Sequence, residues 1–321
     1  MSSEKNLELA ASPLSSRKQN WNPDKWKAVW PLLVMTVPFF SLMFIFSYVP
    51  LWGWYIAFTN YFPGDSFLKA EFVGFKHFQT LFNGGFQFQN AMRNTLIFSG
   101  LGLLLSPLPM IFAIMLNEIR AQWFKKLVQT VTSFPNFISW VIVYSIFFSF
   151  FSLDDGFINR LLLNAGLISN ATDLLANSDI VWVFQTGIGL WKGLGWSAII
   201  YIASIASLDQ ELFQAAEVDG AGRFKQIWHI MIPGLMPTFA VLFLLGIGQF
   251  LSVGFEQYYT FDNPLVHSKI DVLDTYVYNL GLLQLNYPFS TAVGIFKSVI
   301  SIILVFSANY TYKLTTGRGI I

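Results

Sequence analysis

Hydrophobic positions in this chain do not alternate or follow a simple amphipathic period; they fall into long apolar blocks separated by polar intervals. Six windows are apolar for about 20 residues, enough to cross a hydrocarbon core. They lie near Trp30–Val49, Thr95–Leu116, Val128–Phe151, Val181–Ala206, Met236–Ser252 and Thr291–Tyr312. The pattern predicts an all-α integral membrane protein with six transmembrane helices. Pro107 and Pro109 interrupt the second window and Pro135 the third. Such breaks survive in a bilayer where neighbouring groups satisfy the freed carbonyls. In the fourth, Gly189 and Gly193 are four apart, a spacing that lets helices approach closely. Between the windows, Phe72–Phe82 reads as a short amphipathic surface helix. The interval Glu256–Ser290 carries a helix around Val272–Leu283.

The first 28 residues form a separate polar and interfacial segment, and residues 29–321 form the membrane domain. Residues 1–20 are polar and expected to be disordered. Asn22-Pro23 reads as a cap followed by a first-turn proline, and Trp21, Trp26 and Trp30 interleave with Lys25 and Lys27 as in an interfacial anchor. Composition agrees: 54% of the 321 residues are hydrophobic and 12% charged, against about 25% charged in soluble chains. A net charge of +1 speaks against nucleic acid as a partner, which needs a basic patch. The chain has no cysteine, which removes disulfides and thiolate sites.

Charge fixes an expected orientation. With both termini inside, the cytoplasmic segments hold Lys5, Arg17, Lys18, Lys25, Lys27, Arg120, Lys125, Lys126, Arg223, Lys225, Lys313 and Arg318. The outer segments hold Lys69, Lys76, Arg160 and Lys269, with Arg93 at a boundary. The excess of positive charge inside supports that assignment, a multi-pass protein of the cell membrane with N- and C-termini cytoplasmic.

One polar interval on that cytoplasmic side is rich in helix signals. Ser207 with Gln210 has capping-box spacing, predicting a helix to about Val218. Asp219-Gly220 supplies a turn. A second short helix then carries Phe224, Ile227, Trp228 and Met231 on one face, and Pro233 starts the next helix. The sequence Gln214-Ala215-Ala216, three residues, Gly220, nine residues, Ile230-Met231-Ile232-Pro233 resembles the cytoplasmic signature of binding-protein-dependent ABC importer permeases. It departs at Gln214 for the usual Glu, Ile227 for Phe and Ile232 for Leu. The resemblance implies a type I ABC importer-like transmembrane domain with coupling helices at about 208–232. It further implies that Glu211, Gln214, Ala215, Ala216, Glu217, Asp219, Gly220, Ala221, Phe224, Ile230 and Pro233 meet a separate ATPase. Ala215 and Ala216 would permit close contact, while Phe224, Ile227 and Met231 would pin the helix to the membrane domain.

The similarity extends from about residue 28 to the C-terminus. Pro50-Leu51-Trp52-Gly53, Arg93-Asn94-Thr95, Leu116-Asn117-Glu118-Ile119, Trp191-Lys192-Gly193-Leu194-Gly195-Trp196 and Asp274-Thr275-Tyr276-Val277-Tyr278 resemble permeases of oligosaccharide importers. Within them the chain looks most like members serving plant cell-wall fragments, such as pectin-derived rhamnogalacturonan. This resemblance implies a transport subunit rather than an enzyme, with ATP and Mg on a cytoplasmic ATPase dimer. A second permease in a heterodimer, an extracellular sugar-binding protein, an oligosaccharide substrate and membrane lipid complete the expected partners.

The residues themselves agree that this chain is no ATPase, since it lacks the G-x-x-x-x-G-K-[ST] phosphate loop. His77, His229 and His267 fall in separate regions, so no shared metal site or other cofactor is expected in this chain. Gly187, Gly189 and Gly193 lie in an apolar window and read as helix packing, not a dinucleotide loop. Polar groups inside spans are costly and mark pathways or partners. Trp191, Lys192 and Trp196 are candidates for a sugar path, the tryptophans stacking on rings and the ammonium attracting hydroxyls or a uronate. Equally open is that Lys192 pairs with a structural acid or snorkels. Gln185 and Gln249 can bond sugar hydroxyls or serve cross-helix packing, and Lys297 reads as snorkelling. The competing class, an ion-gradient transporter or channel without ATPases, expects intramembrane acids or inverted repeats, and neither stands out.

Overall fold

The computed structural model describes residues 23–64, 66, 69–83, 85–317 and 319, with side chains from residue 29 onward and without that of Thr316. The expectations for the tail, Trp21, the Asn22 cap, Arg318 and the side chains of Lys25, Trp26 and Lys27 lie outside these described residues. The chain divides into two compact units, Met1–Gly53 and Trp54–Ile321.

In the first unit, α1 (Pro23–Met43) continues through a π turn, Phe44–Tyr48, into a 3₁₀ stretch, Val49–Phe58, whose last five residues belong to the second unit. Pro31 and Pro38 sit inside α1. Almost all side chains of residues 29–52 are apolar, the composition of a segment that crosses a hydrocarbon core.

The second unit is helical, with one isolated antiparallel bridge, Thr59 to Phe72, among the described residues. A short α2 (Lys76–Phe82) precedes α3 (Phe86–Leu105) and α4 (Leu108–Glu118). The prolines at 107 and 109 begin α4, and the pair still forms one span-length rod, Phe86–Glu118. Next come α5 (Gln122–Ser133), the 3₁₀ turn Phe134–Phe137, α6 (Trp140–Phe151) and α7 (Phe157–Asn164). Ser139 caps α6 by accepting from Ile142 N.

The long α8 (Val181–Ala206) leads to α9 (Gln210–Val218) and α10 (Arg223–Gln226), which passes through a π turn, Ile227–Met231, into α11 (Ile232–Gly248). Then come α12 (Glu256–Phe261), α13 (His267–Ile270), α14 (Leu273–Tyr278) with its π extension Asn279–Leu283, and α15 (Tyr287–Thr316).

Among the described residues five helical rods are long and apolar enough to cross a membrane. The third sequence window is broken, as Pro135 predicts, but far more sharply than an interruption implies: α5 and α6 meet at a 107° bend, a broken span or a re-entrant corner.

Among the described residues three buried clusters order the second unit, two of them along α8. Near its C-terminal end, Ala198, Tyr201 and Ile205 pack with Met110, Ala113, Met231 and Leu235. Near its N-terminal end, Val181 and Ile188 pack with Phe98, Val143, Phe261 and Ile270. A third cluster joins α3, α14 and α15 through Ala91, Leu273, Tyr276 and Val293.

This packing extends one expectation and corrects another. The interval Glu256–Ser290 carries the helix expected around Val272–Leu283, as α14 and its π extension, and is also built into the core, where Phe261, Val266, Ile270, Val272 and Leu273 are fully buried. The glycine reading also shifts. A Cβ on Gly193 would meet nothing within 4 Å, and one on Gly189 would touch only Gln257, at 3.4 Å. On Gly195 it would lie 2.3–2.5 Å from the Thr132 and Ser133 backbone. Gly195 is therefore the residue that lets α8 meet α5.

Candidate functional site

Two places bring together the residues singled out by sequence. The first is the α9–α10 elbow. Its cap is Asp209, whose side chain accepts from Glu211 N at 2.9 Å. Ser207, expected in that role, instead donates back to Ser204 O at 2.8 Å and closes α8. Both residue types favour caps, and the one already committed to α8 cannot also start α9.

The end of α9 is a Schellman closure. Ala221 N donates to Ala216 O at 2.8 Å and Gly220 N to Glu217 O at 3.0 Å. Gly220 has φ +75°, the left-handed conformation that this motif requires and glycine adopts without a Cβ penalty.

After the turn there is no separate second helix. The π turn Ile227–Met231 carries α10 without a break into α11, so Pro233 lies in a continuing helix and does not begin a new one. The expected single apolar face is split. Met231 is buried and Ile227 partly so, whereas Phe224 and Trp228 are 77% and 60% exposed and stack on each other at 6.5 Å. Phe224 therefore does not pin the helix inward.

Glu211, Gln214, Ala215, Glu217, Asp219 and Pro233 are exposed, and Ala216, Ala221 and Ile230 partly buried. With Leu212 and Val218 also exposed, the elbow presents an apolar ridge edged by carboxylates and an amide. Its base is tied down: Arg223 Nη1 lies 3.1 Å from Glu118 Oε2 at the end of α4. Leu208 packs so closely that a Cβ on Gly234 would come within 2.6 Å of it.

The second place is a cavity of about 640 Å³ between α3, α8, α11 and the 249–258 segment. Gln185, Trp196 and Gln249 line it; Trp191 and Lys192 are not among its lining residues. Gln185 is buried and accepts from Gln257 Nε2 at 3.0 Å through its side chain and 2.8 Å through its backbone. Trp196 meets Phe137 edge to face at 5.4 Å and 87°. Gln249 is exposed.

Trp191 packs edge-on to Phe147 at 5.6 Å. Lys192 is buried, and its ammonium donates to the carbonyls of Pro135, Asn136 and Ile138 at 2.9, 3.0 and 2.7 Å. It neither snorkels nor pairs with an acid, and all three of its N–H groups are used.

Several functional-looking contacts were not visible in the sequence. Lys297, expected to snorkel, is ion-paired with Asp274. Asp274 also accepts from Gly254 N at 3.2 Å. The Arg93-Asn94-Thr95 triplet docks α13 and α14: Asn94 Nδ2 donates to Ser268 O and Asp271 O at 3.1 and 2.9 Å, and Thr95 Oγ1 accepts from Leu273 N at 2.9 Å. Nearby, burial pushes the Asp271 carboxyl above the usual range, against the Thr275 hydroxyl that donates to it. For His267, burial alone would lower the imidazole, but its hydrogen bond to Asp262 and the charges of Asp262 and Asp271 leave it raised. Among the described residues no three His, Asp or Glu side chains converge as metal ligands.

Residues 105–315 match the family described as binding-protein-dependent transport system inner membrane component. The chain is 43% identical over 298 residues to Protein LplB of Bacillus subtilis (strain 168), covering 92% of this chain and 91% of that one. It is 40% identical over 293 residues to the polygalacturonan/rhamnogalacturonan transport system permease protein YteP of the same organism, covering 90% and 89%. Its fold is similar to a chain of a bacterial ABC transporter involved in the import of the acidic polysaccharide alginate. There the TM-score is 0.82 at 36% identity, covering 91% of this chain and 98% of that one. A chain of a bacterial alginate ABC transporter in complex with an alginate pentasaccharide-bound periplasmic protein gives a TM-score of 0.83 at 36% identity, covering 92% of this chain and 99% of that one.

Proposed function

Because the chain belongs to the binding-protein-dependent transport system inner membrane component family, and is thus a multi-pass membrane permease, we propose that it is one half of an ATP-driven oligosaccharide importer. The observation that carries this reading is the family match running through the exposed, glycine-hinged elbow at α9–α10. In this reading, the broken α5–α6 element counts as the sixth span, both termini are cytoplasmic, and residues 29–321 form the transmembrane domain behind a 28-residue segment. The elbow then faces the cytoplasm.

There, Glu211, Gln214, Ala215, Glu217 and Phe224 meet an ATPase that carries ATP and Mg. Ala216, Ala221 and Ile230 seat the elbow on the bundle, Asp219 and Gly220 set its angle, and Pro233 lies where α11 enters the membrane. The small alanines admit close contact, and the exposed apolar ridge supplies buried area once covered. A second permease completes the pore, and an external binding protein delivers the sugar. Closure of the ATPase dimer moves the elbows and alternates the access of the cavity.

The cavity offers amides, hydroxyls and the Trp196 ring, the donor set and flat face that suit sugar hydroxyls and the C–H faces of pyranose rings. Plant cell-wall oligosaccharides of the pectin and rhamnogalacturonan class are the favoured cargo, supported by the similarity to YteP. The likeness to an alginate importer supports an acidic sugar more broadly. No lysine or arginine is among the described lining residues, so a uronate would be met in this half by neutral donors. An ion-gradient carrier gains no support from the family or the fold.

The test is reconstitution with the second permease, the ATPase pair and the binding protein. ATP hydrolysis and uptake should rise when the binding protein carries a rhamnogalacturonan oligosaccharide. Isolation as a lone homo-oligomer, with uptake abolished by an ionophore and unaffected by ATP depletion, would overturn the proposal.

A further inference from the structure

We propose that Lys192 is a positioning residue. It pins the corner between α5 and α6, and through that corner it sets the ring of Trp196 in the cavity wall. A helix that turns by 107° within an apolar region leaves carbonyls without intrahelical partners, and hydrocarbon offers them none. Lys192 reaches across from α8 and donates to three carbonyls of the corner: those of Asn136 and Ile138, and that of Pro135, which also accepts from Ile138 N at 3.2 Å. The position suits a cation, because these carbonyls form the negative end of α5 and its 3₁₀ extension. The ammonium also lies 5.2 Å from the centre of the Trp140 ring, at the start of α6. One side chain thus holds both arms of the corner.

The next turn of α8 completes the grip. Gly195 lets α8 press against the backbone of Thr132 and Ser133. Trp196 then meets Phe137, the last residue of the 3₁₀ turn, edge to face at 5.4 Å. Phe137 is bracketed in sequence by the very carbonyls that Lys192 holds. A loosened corner would move Phe137 and release the indole that lines the cavity. The functional consequence of this placement rests on the cavity being the sugar path; the placement itself does not.

This chain has no cysteine, so it can be labelled at chosen sites before assembly with its partners in lipid nanodiscs. Spin labels on Lys126→Cys and Ser149→Cys report the corner as a distance distribution. The chain carrying 5-fluorotryptophan reports Trp196 by ¹⁹F NMR, its resonance assigned by loss in Trp196→Phe. Lys192→Met keeps the stem volume and removes the donors. It should broaden the distribution and shift the Trp196 resonance, with Lys192→Arg restoring both and Lys192→Gln falling between. An unchanged distribution and resonance in Lys192→Met overturns the proposal, since it would mean that Lys192 only fills space. If the methionine variant does not insert, Lys192→Gln decides, and wild-type spectra there overturn it equally. Adding binding protein loaded with a rhamnogalacturonan oligosaccharide separates the two readings. No response of Trp196, with the Lys192 effects intact, would sink the cavity as sugar path and leave the positioning role standing.

Discussion

Lys297 on α15 is ion-paired with Asp274 on α14, with side chains 11% and 19% exposed. The same carboxylate accepts from Gly254 N just beyond α11, so one pair ties three segments. Removing one partner strands the other charge away from water, which costs roughly 3–5 kcal/mol for a buried pair. Lys297→Met should therefore lower the thermal midpoint of the detergent-solubilised protein. Adding Asp274→Asn should recover part of the loss. A double variant no better than the single one would show that the pair is not coupled.

Gly220 should tolerate Asn and reject Leu. No atom crowds its missing side chain, so the objection to leucine is the φ of +75°, which costs a branched residue on the order of 1–3 kcal/mol. Asn enters that region more readily. Gly220→Leu is expected to abolish uptake while insertion in the membrane persists, and Gly220→Asn to retain most of it. Ala216→Arg, half-buried under the elbow, should behave like the leucine variant. ATP-dependent uptake in proteoliposomes is the measurement.

Gly195→Ala and Gly193→Ala form a matched pair of single-methyl additions two residues apart. At 195 the new carbon would lie within 2.5 Å of backbone atoms on α5, while at 193 it meets nothing within 4 Å. The former should destabilise by at least the roughly 1–3 kcal/mol typical of overpacking, the latter by little. Melting curves followed by size-exclusion fluorescence distinguish them.

The α13–α14 segment should be held more firmly at mildly acidic than at alkaline pH. His267 is raised in the fold above its ordinary 6.5. Its contribution is fully present below that value and is lost as pH rises through the folded value. Asp271 is also raised, from an ordinary 3.8. It too favours the fold most when protonated, and its contribution fades as pH rises from there. Hydrogen exchange of residues 262–275 between pH 5 and 9 should show protection declining with pH. In His267→Gln the part of that decline above about pH 6.5 should vanish.

Much of the architecture was legible because bilayer-length apolar windows are a strong signal. The rod Val181–Ala206 emerged with the bounds that its hydropathy predicts. The elbow was legible because Asp219-Gly220 states its turn locally. The failures have long-range causes. Pro135 marked an interruption but not a 107° corner, since the group that holds the corner sits more than 50 residues away in sequence. Lys192 itself was read for charge, when its donors are what the fold uses. The Lys297–Asp274 and Arg223–Glu118 pairs join segments whose proximity no periodicity encodes. Ser207 lost the cap to Asp209 in a contest between two suitable residues that only the end of α8 decides.

The unbroken passage from α10 through the π turn into α11 makes this elbow mechanically lopsided. Its α10 arm is a shaft, continuous with a membrane-length rod, while its α9 arm joins that shaft only through the closed turn at Gly220. A push received on α10 becomes torque on the rod with no joint to absorb it. A push received on α9 must first pass through the turn. Direction as well as contact then decides whether a partner's stroke reaches the bilayer.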